Sequence, residues 1–172
     1  MKNNLLKKLV YVVAIILVII QFIRPAKNEG EALGPQDISK AVSVSDTVMQ
    51  ILKTSCFDCH SNRTQYPWYT YIQPLGFWTT HHVNEGKEEL NFSEFASYTA
   101  KRQMKKFKEM GEQLKEKEMP LFSYTIIHRN AVLTPEQITI LNSWINTNMG
   151  QNTSPAGSNT ESEEKGEEQD GD

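Results

Sequence analysis

The sequence predicts an all-α fold, a small helical domain preceded by a single N-terminal transmembrane helix. Three observations carry that prediction. An apolar run fills the N-terminus, three later segments combine helical apolar spacing with helix-start residues, and no convincing stretch alternates apolar and polar residues as a half-buried strand would.

The N-terminal run comes first. From Leu9 to Ile23 only Tyr11 and Gln21 are polar, and Leu5 and Leu6 extend the run beyond Lys7 and Lys8. A bilayer needs roughly 20 apolar residues, with about 17 as a lower limit. Residues 1–24 are therefore expected to be a membrane anchor, and membrane lipid an expected partner. No small-residue cleavage site follows the run; Gln21-Phe22-Ile23-Arg24-Pro25 stands there instead, which favours an uncleaved anchor over a signal peptide. Lys2, Lys7 and Lys8 precede the run, against Arg24 and Lys27 after it. Positive-inside orientation then predicts a single-pass inner-membrane protein whose domain faces the periplasm.

Residues 25–40 hold Pro25, Gly30, Gly34 and Pro35 among polar residues and read as a linker. Residues 41–149 are long enough for one core. Its first helix is expected from about Asp46 to Ser55, with Ser45 as N-cap and Val48, Ile51 and Leu52 on one face. Residues 61–78 carry Tyr66, Trp68, Tyr69, Tyr71 and Trp78 and read as an aromatic-rich loop. A second helix is expected from near Ser93, as its cap, toward Lys117, with Phe95, Met104, Phe107 and Leu114 as a broken stripe and Gly111 as a weak point. The third has the clearest start: Thr134 as N-cap, Pro135 at the first helical position and Gln137 completing a capping box. Residues 150–172 carry seven acids and one lysine with no aromatic residue, the composition of a disordered acidic tail. Residues 1–24 hold +4 and the tail −6, so the middle is nearly neutral within the total of −3. That balance leaves no nucleic-acid footprint.

Both cysteines lie in Cys56-Phe57-Asp58-Cys59-His60. Cys-x-x-Cys-His is the haem c attachment pattern. Two thiols three positions apart reach the two vinyl groups on one porphyrin edge, and the next residue, His60, offers its imidazole to the iron. One haem c, linked through Cys56 and Cys59, is the expected cofactor. A redox dithiol or half of a zinc site are the competing readings. No βαβ pattern supports the first, and His81, His82 and His128 complete the second poorly.

Several motifs together resemble the bacterial haem-binding domain family of anchored c-type cytochromes. They are Cys56 to Asn62 with Tyr66-Pro67-Trp68-Tyr69; His82-Val83-Asn84-Glu85-Gly86-Lys87 with Leu90-Asn91-Phe92-Ser93; and Glu118-Met119-Pro120-Leu121 with Tyr124, His128 and Ala131, followed by Leu133-Thr134-Pro135-Glu136 and Trp144. The resemblance covers roughly residues 45–147 and implies a small cytochrome c-like helical domain around one haem.

His60 is the expected proximal iron ligand. Met119 is the first candidate for the opposite face. It stands late in the chain, directly before Pro120 and ahead of a terminal helix, much as the axial methionine does in small class I cytochromes c. His128, His82 or an open site are the alternatives. Arg63 is a candidate partner for a haem propionate, and Trp68, Tyr69 and His128 are candidates for the haem surroundings. Lys101, Arg102, Lys105, Lys106 and Lys108 form either a solvated helix face or a docking face for an acidic redox partner protein. No nucleophile triad, phosphate loop or carboxylate pair is apparent. The expected activity is single-electron transfer by a carrier rather than a catalyst; an open sixth iron position would instead suit a gas-binding sensor or a peroxidase-like enzyme.

Overall fold

A computed structural model describes residues 2–151, and its regular structure is helical. The acidic tail falls, from residue 152 on, outside the described residues.

The first helix, α1, spans Lys2–Ile20. Among the described residues no helix is long and apolar enough to cross a membrane, so the expected transmembrane helix is corrected. The reason is geometric. Lys7 and Lys8 interrupt the apolar run on one side and the helix stops at Ile20 on the other. Leu9 to Ile20 then rises only roughly 18 Å at about 1.5 Å per residue, against a hydrocarbon core of about 30 Å. Beyond Ile20 the chain belongs to the domain. Gln21 bonds Gln73 twice, donating from Nε2 to its carbonyl and accepting from its N–H, each at 2.9 Å. Arg24 donates to the Tyr71 carbonyl.

Residues 28–38, linker-like in composition, pack on the domain. Glu29 and Arg63 form an isolated antiparallel bridge, Gly30 N–H donates to Asn62 at 2.7 Å, and the Asn28 side chain donates to Ser61 and Thr64. The short α2 (Ile38–Ala41) is capped by Asp37, and Ile38 is fully buried.

Helix α3 (Asp46–Ser55) has the expected cap, Ser45 accepting from Val48 N–H at 3.3 Å. Val48, Ile51 and Leu52 are buried on its inner face. Cys56 ends α3 and begins the single turn α4 (Phe57–His60).

Helix α5 (Leu75–Glu89) falls partly in the expected aromatic loop. It has no apolar stripe, and only Gly76 and Val83 are buried. Close backbone approach holds it instead. A Cβ at Gly86 would stand 2.8 Å from the Cys59 carbonyl oxygen. The Gln73 side chain caps its first turn, accepting from Phe77 N–H at 3.0 Å.

Helix α6 (Ala100–Glu116) starts later than expected, capped by Thr99 rather than Ser93. Ser93 is buried between segments, accepting from Asn62 N–H at 2.9 Å and donating to the Ala32 carbonyl at 2.7 Å. Gly111 does not split α6, and left-handed Lys117 (φ 59°) ends it. After α7 (Phe122–Thr125), α8 (Pro135–Gln151) begins with the predicted capping box: Thr134 N–H donates to Gln137 Oε1 at 2.9 Å and Gln137 N–H to Thr134 Oγ1 at 3.2 Å.

The core sits where α3, α6 and α8 meet the segment after α5. Phe95, Phe107 and Trp144 stack edge-on in sequence at 5.3 Å, and Leu141 and Ile145 fill the space beside them. Burying side chains of this size contributes roughly 1.5–3 kcal/mol each. This core forms one wall of the cavity described next.

Candidate functional site

The cysteines are placed by Phe57. Its ring is buried and stacks on Phe92 at 5.4 Å. Cys56 and Cys59, one helical turn apart, then share a face, and both line one cavity. Both are free thiols. Burial pushes the Cys56 thiol up to about 12 and Cys59 to about 11, Asp58 adding to the second, so both stay protonated at neutral pH.

His60 is oriented by the chain after α5. Its Nδ1 lies 2.9 Å from the Leu90 carbonyl oxygen, and its own carbonyl accepts from Phe92 N–H at 2.7 Å. A carbonyl only accepts, so Nδ1 carries the proton and Nε2 keeps its lone pair. Burial lowers the imidazole's proton affinity against the opposing pull of the Leu90 and Gly86 carbonyls, and this keeps His60 neutral. A neutral ring whose Nδ1 is bonded to backbone and whose Nε2 keeps its lone pair is prepared to ligate a metal.

Two adjoining cavities open around this ring. The larger, about 420 Å³, runs between α3, α6 and α8 along Leu52, Leu90, Phe92, Met110 and Trp144. The smaller, about 270 Å³, reaches both cysteines, His82 and Tyr124. Cys56, His60 and Met119 line both. Ligand pockets typically measure about 300–1,000 Å³ and are lined mainly by apolar side chains. Met119 is placed by the left-handed turn at Lys117, where Glu118 N–H reaches back to the Gln113 carbonyl at 3.1 Å and the chain leaves α6 toward the cavities. Met119 is 36% exposed.

Asp58 joins the two halves. Its Oδ2 accepts from the Tyr124 hydroxyl at 2.8 Å and its Oδ1 from Gln65 N–H at 3.0 Å. Burial, then the Asp58 charge, pushes the Tyr124 hydroxyl well above its ordinary value.

The structure thus brings Cys56, Cys59, His60 and Met119 together. His82 reaches the smaller cavity, stacked edge-on against Trp78 at 4.5 Å and paired with Glu85. Tyr69 and His128 line neither; they flank a further space of about 50 Å³ that shares Asp58, Cys59, His82, Leu121 and Tyr124 with the smaller cavity. His128 stacks on Tyr124 at 4.1 Å, its Nδ1 3.2 Å from the Tyr124 carbonyl. Trp68 is 75% exposed and Arg63 is exposed, and neither lines these cavities.

Sequence reasoning missed Asp58, Leu90 and Lys106. Lys106 alone carried a signal: it stands four and eight residues before Met110 and Leu114, in line with the buried stripe of α6. Its Nζ is 2.7 Å from Glu109 and 3.3 Å from Glu89.

Among the described residues, no group of three or more His, Cys, Asp or Glu side chains is placed to hold a metal ion, so the zinc reading finds no completing ligands there. A flat apolar macrocycle with a central metal fits the arrangement: apolar walls, an imidazole lone pair, a thioether, and two thiols at one side. A family model described as haem-binding domain matches residues 15–147 of the chain. No curated protein and no solved structure matches it.

Proposed function

The chain belongs to the haem-binding domain family and binds haem, and from that premise we propose that it is a monohaem c-type cytochrome that passes single electrons. The observation that carries this reading is the placing of Cys56, Cys59 and His60 on one cavity, with Met119 lining it as well.

In this reading Cys56 and Cys59 would hold the haem by two thioether bonds, each thiol adding across one vinyl group with its proton passing to the outer carbon, so that nothing is oxidised. Burial keeps both thiols protonated in the turn that carries them. His60 would hold the iron through its Nε2 lone pair, and its Nδ1 bond to Leu90 fixes the ring. Met119 would supply a second ligand, and His–Met ligation raises the potential relative to two histidines. Bound haem contributes the Fe(III)/Fe(II) couple. Leu52, Phe92 and Trp144 keep water from its faces. Attachment of this kind is completed outside the cytoplasm, so the domain faces the periplasm in this reading, where a redox protein is its partner.

Acid–acetone extraction tests the attachment. Haem that stays with the polypeptide is expected; haem released into the solvent overturns the covalent reading. Carbon monoxide tests the carrier role. A ferrous spectrum unchanged by the gas is expected, and ready binding would favour a sensor or a peroxidase-like enzyme.

A further inference from the structure

A bound haem brings two propionates, and an unpartnered carboxylate is costly to bury. Arg63 does not reach the cavities. Among the described residues, Lys106 is the one lysine or arginine lining either cavity.

Its setting is uneven in a telling way. The Lys106 side chain is 9% exposed, whereas its partners Glu109 and Glu89 are 37% and 79% exposed. The Lys106 side chain is largely covered, whereas both carboxylates reach water. Burial works against the charge on Lys106, and the Glu109 and Glu89 carboxylates overcome it, so the ammonium stays protonated. The neighbouring wall, Leu90, Phe92, Met110 and Trp144, offers no competing cation. We propose that Lys106 anchors a haem propionate, and that Glu89 and Glu109 hold its ammonium at the cavity wall until a propionate replaces one of them. This rests on haem occupying the cavity, not on covalent attachment or electron transfer.

The test uses the full chain carrying Cys56→Ala and Cys59→Ala, so that haem binds reversibly, titrated with haem and with haem dimethyl ester. With Lys106 present, esterification is expected to weaken binding roughly tenfold to hundredfold, the worth of a charge-assisted hydrogen bond. In Lys106→Gln the two affinities converge, and Lys106→Arg restores the gap. Glu109→Gln strengthens binding of the diacid and leaves the ester unchanged. An ester penalty that persists in Lys106→Gln overturns the proposal, as does weaker diacid binding in Glu109→Gln. Should the cysteine-free chain not retain haem, resonance Raman of the holoprotein decides: the propionate bending mode shifts in Lys106→Gln and not in Lys105→Gln, and no shift in Lys106→Gln overturns the proposal. Haem released by acid–acetone would refute the covalent reading and leave both comparisons intact.

Discussion

The Tyr124 hydroxyl donates to Asp58 Oδ2 at 2.8 Å, joining α7 to the turn that carries both cysteines. Asp58 is also tied to Gln65, so this carboxylate fixes the loop around Met119 relative to Cys59. Tyr124→Phe removes the bond and leaves Asp58 one donor short. A hydrogen bond to a charged group contributes about 1.5–3 kcal/mol. The variant is expected to melt several degrees lower and to show a second ferric population lacking thioether ligation. An unchanged melting curve and spectrum would mean that the bond positions nothing.

For His60 the expected experiment is replacement and rescue. His60→Gly removes the imidazole but keeps the Phe92 N–H bond to the residue 60 carbonyl, so the chain path survives. The ferric haem should become high-spin, and added imidazole should restore the low-spin spectrum. Failure of imidazole to enter would place the ligand elsewhere.

Met119 makes a sharper contrast between stability and spectrum. Because it is 36% exposed, truncation leaves little cavity, and Met119→Ala should cost less than about 1 kcal/mol. Its effect on haem is expected to be large: the near-infrared thioether-to-iron band disappears and the reduction potential falls. His82, on the same smaller cavity, is the rival. A parent protein that lacks this band, with the low-spin haem turning high-spin in His82→Ala and not in Met119→Ala, would assign the ligand to His82.

What was legible in the sequence was what is local. Ser45 and Thr134 start their helices as read, because a cap bonds within three residues of itself. The cysteines and His60 stand together because one turn of helix carries them all. Helix α5 was invisible, since it is held by the close approach of Gly76 to the Thr70 carbonyl and of Gly86 to the Cys59 backbone, and by the Gln73 side-chain cap, rather than by an apolar stripe. Residues 28–38 looked like linker for a similar reason: Asn28 and Gly30 bond residues more than 30 positions away. Lys106 read as one of five basic residues, although its spacing to Met110 and Leu114 puts it on the inner side of α6, where it is buried. The N-terminal run misled because composition gives its apolar content but not the place where the helix stops.

The last prediction sets two glycines against each other. At Gly86 a Cβ would meet the Cys59 carbonyl oxygen at 2.8 Å and Cys59 Cβ at 3.1 Å, and backbone at that distance cannot turn aside. Gly86→Ala therefore pushes α5 off the turn carrying Cys59, at a cost of about 1–3 kcal/mol. It also strains the segment leading to Leu90, the partner of His60. Gly111 lies inside α6, and its nearest atom beyond the local helix is Ile145 Cγ2 at 3.9 Å, ordinary contact. There alanine only removes the conformational freedom of glycine, and Gly111→Ala should stabilise by about 0.5–1 kcal/mol. Thermal melts of the two variants should move in opposite directions, and only Gly86→Ala should alter the haem spectrum. If Gly86→Ala melts at or above the parent temperature, the close approach of α5 to Cys59 is not what holds that helix in place.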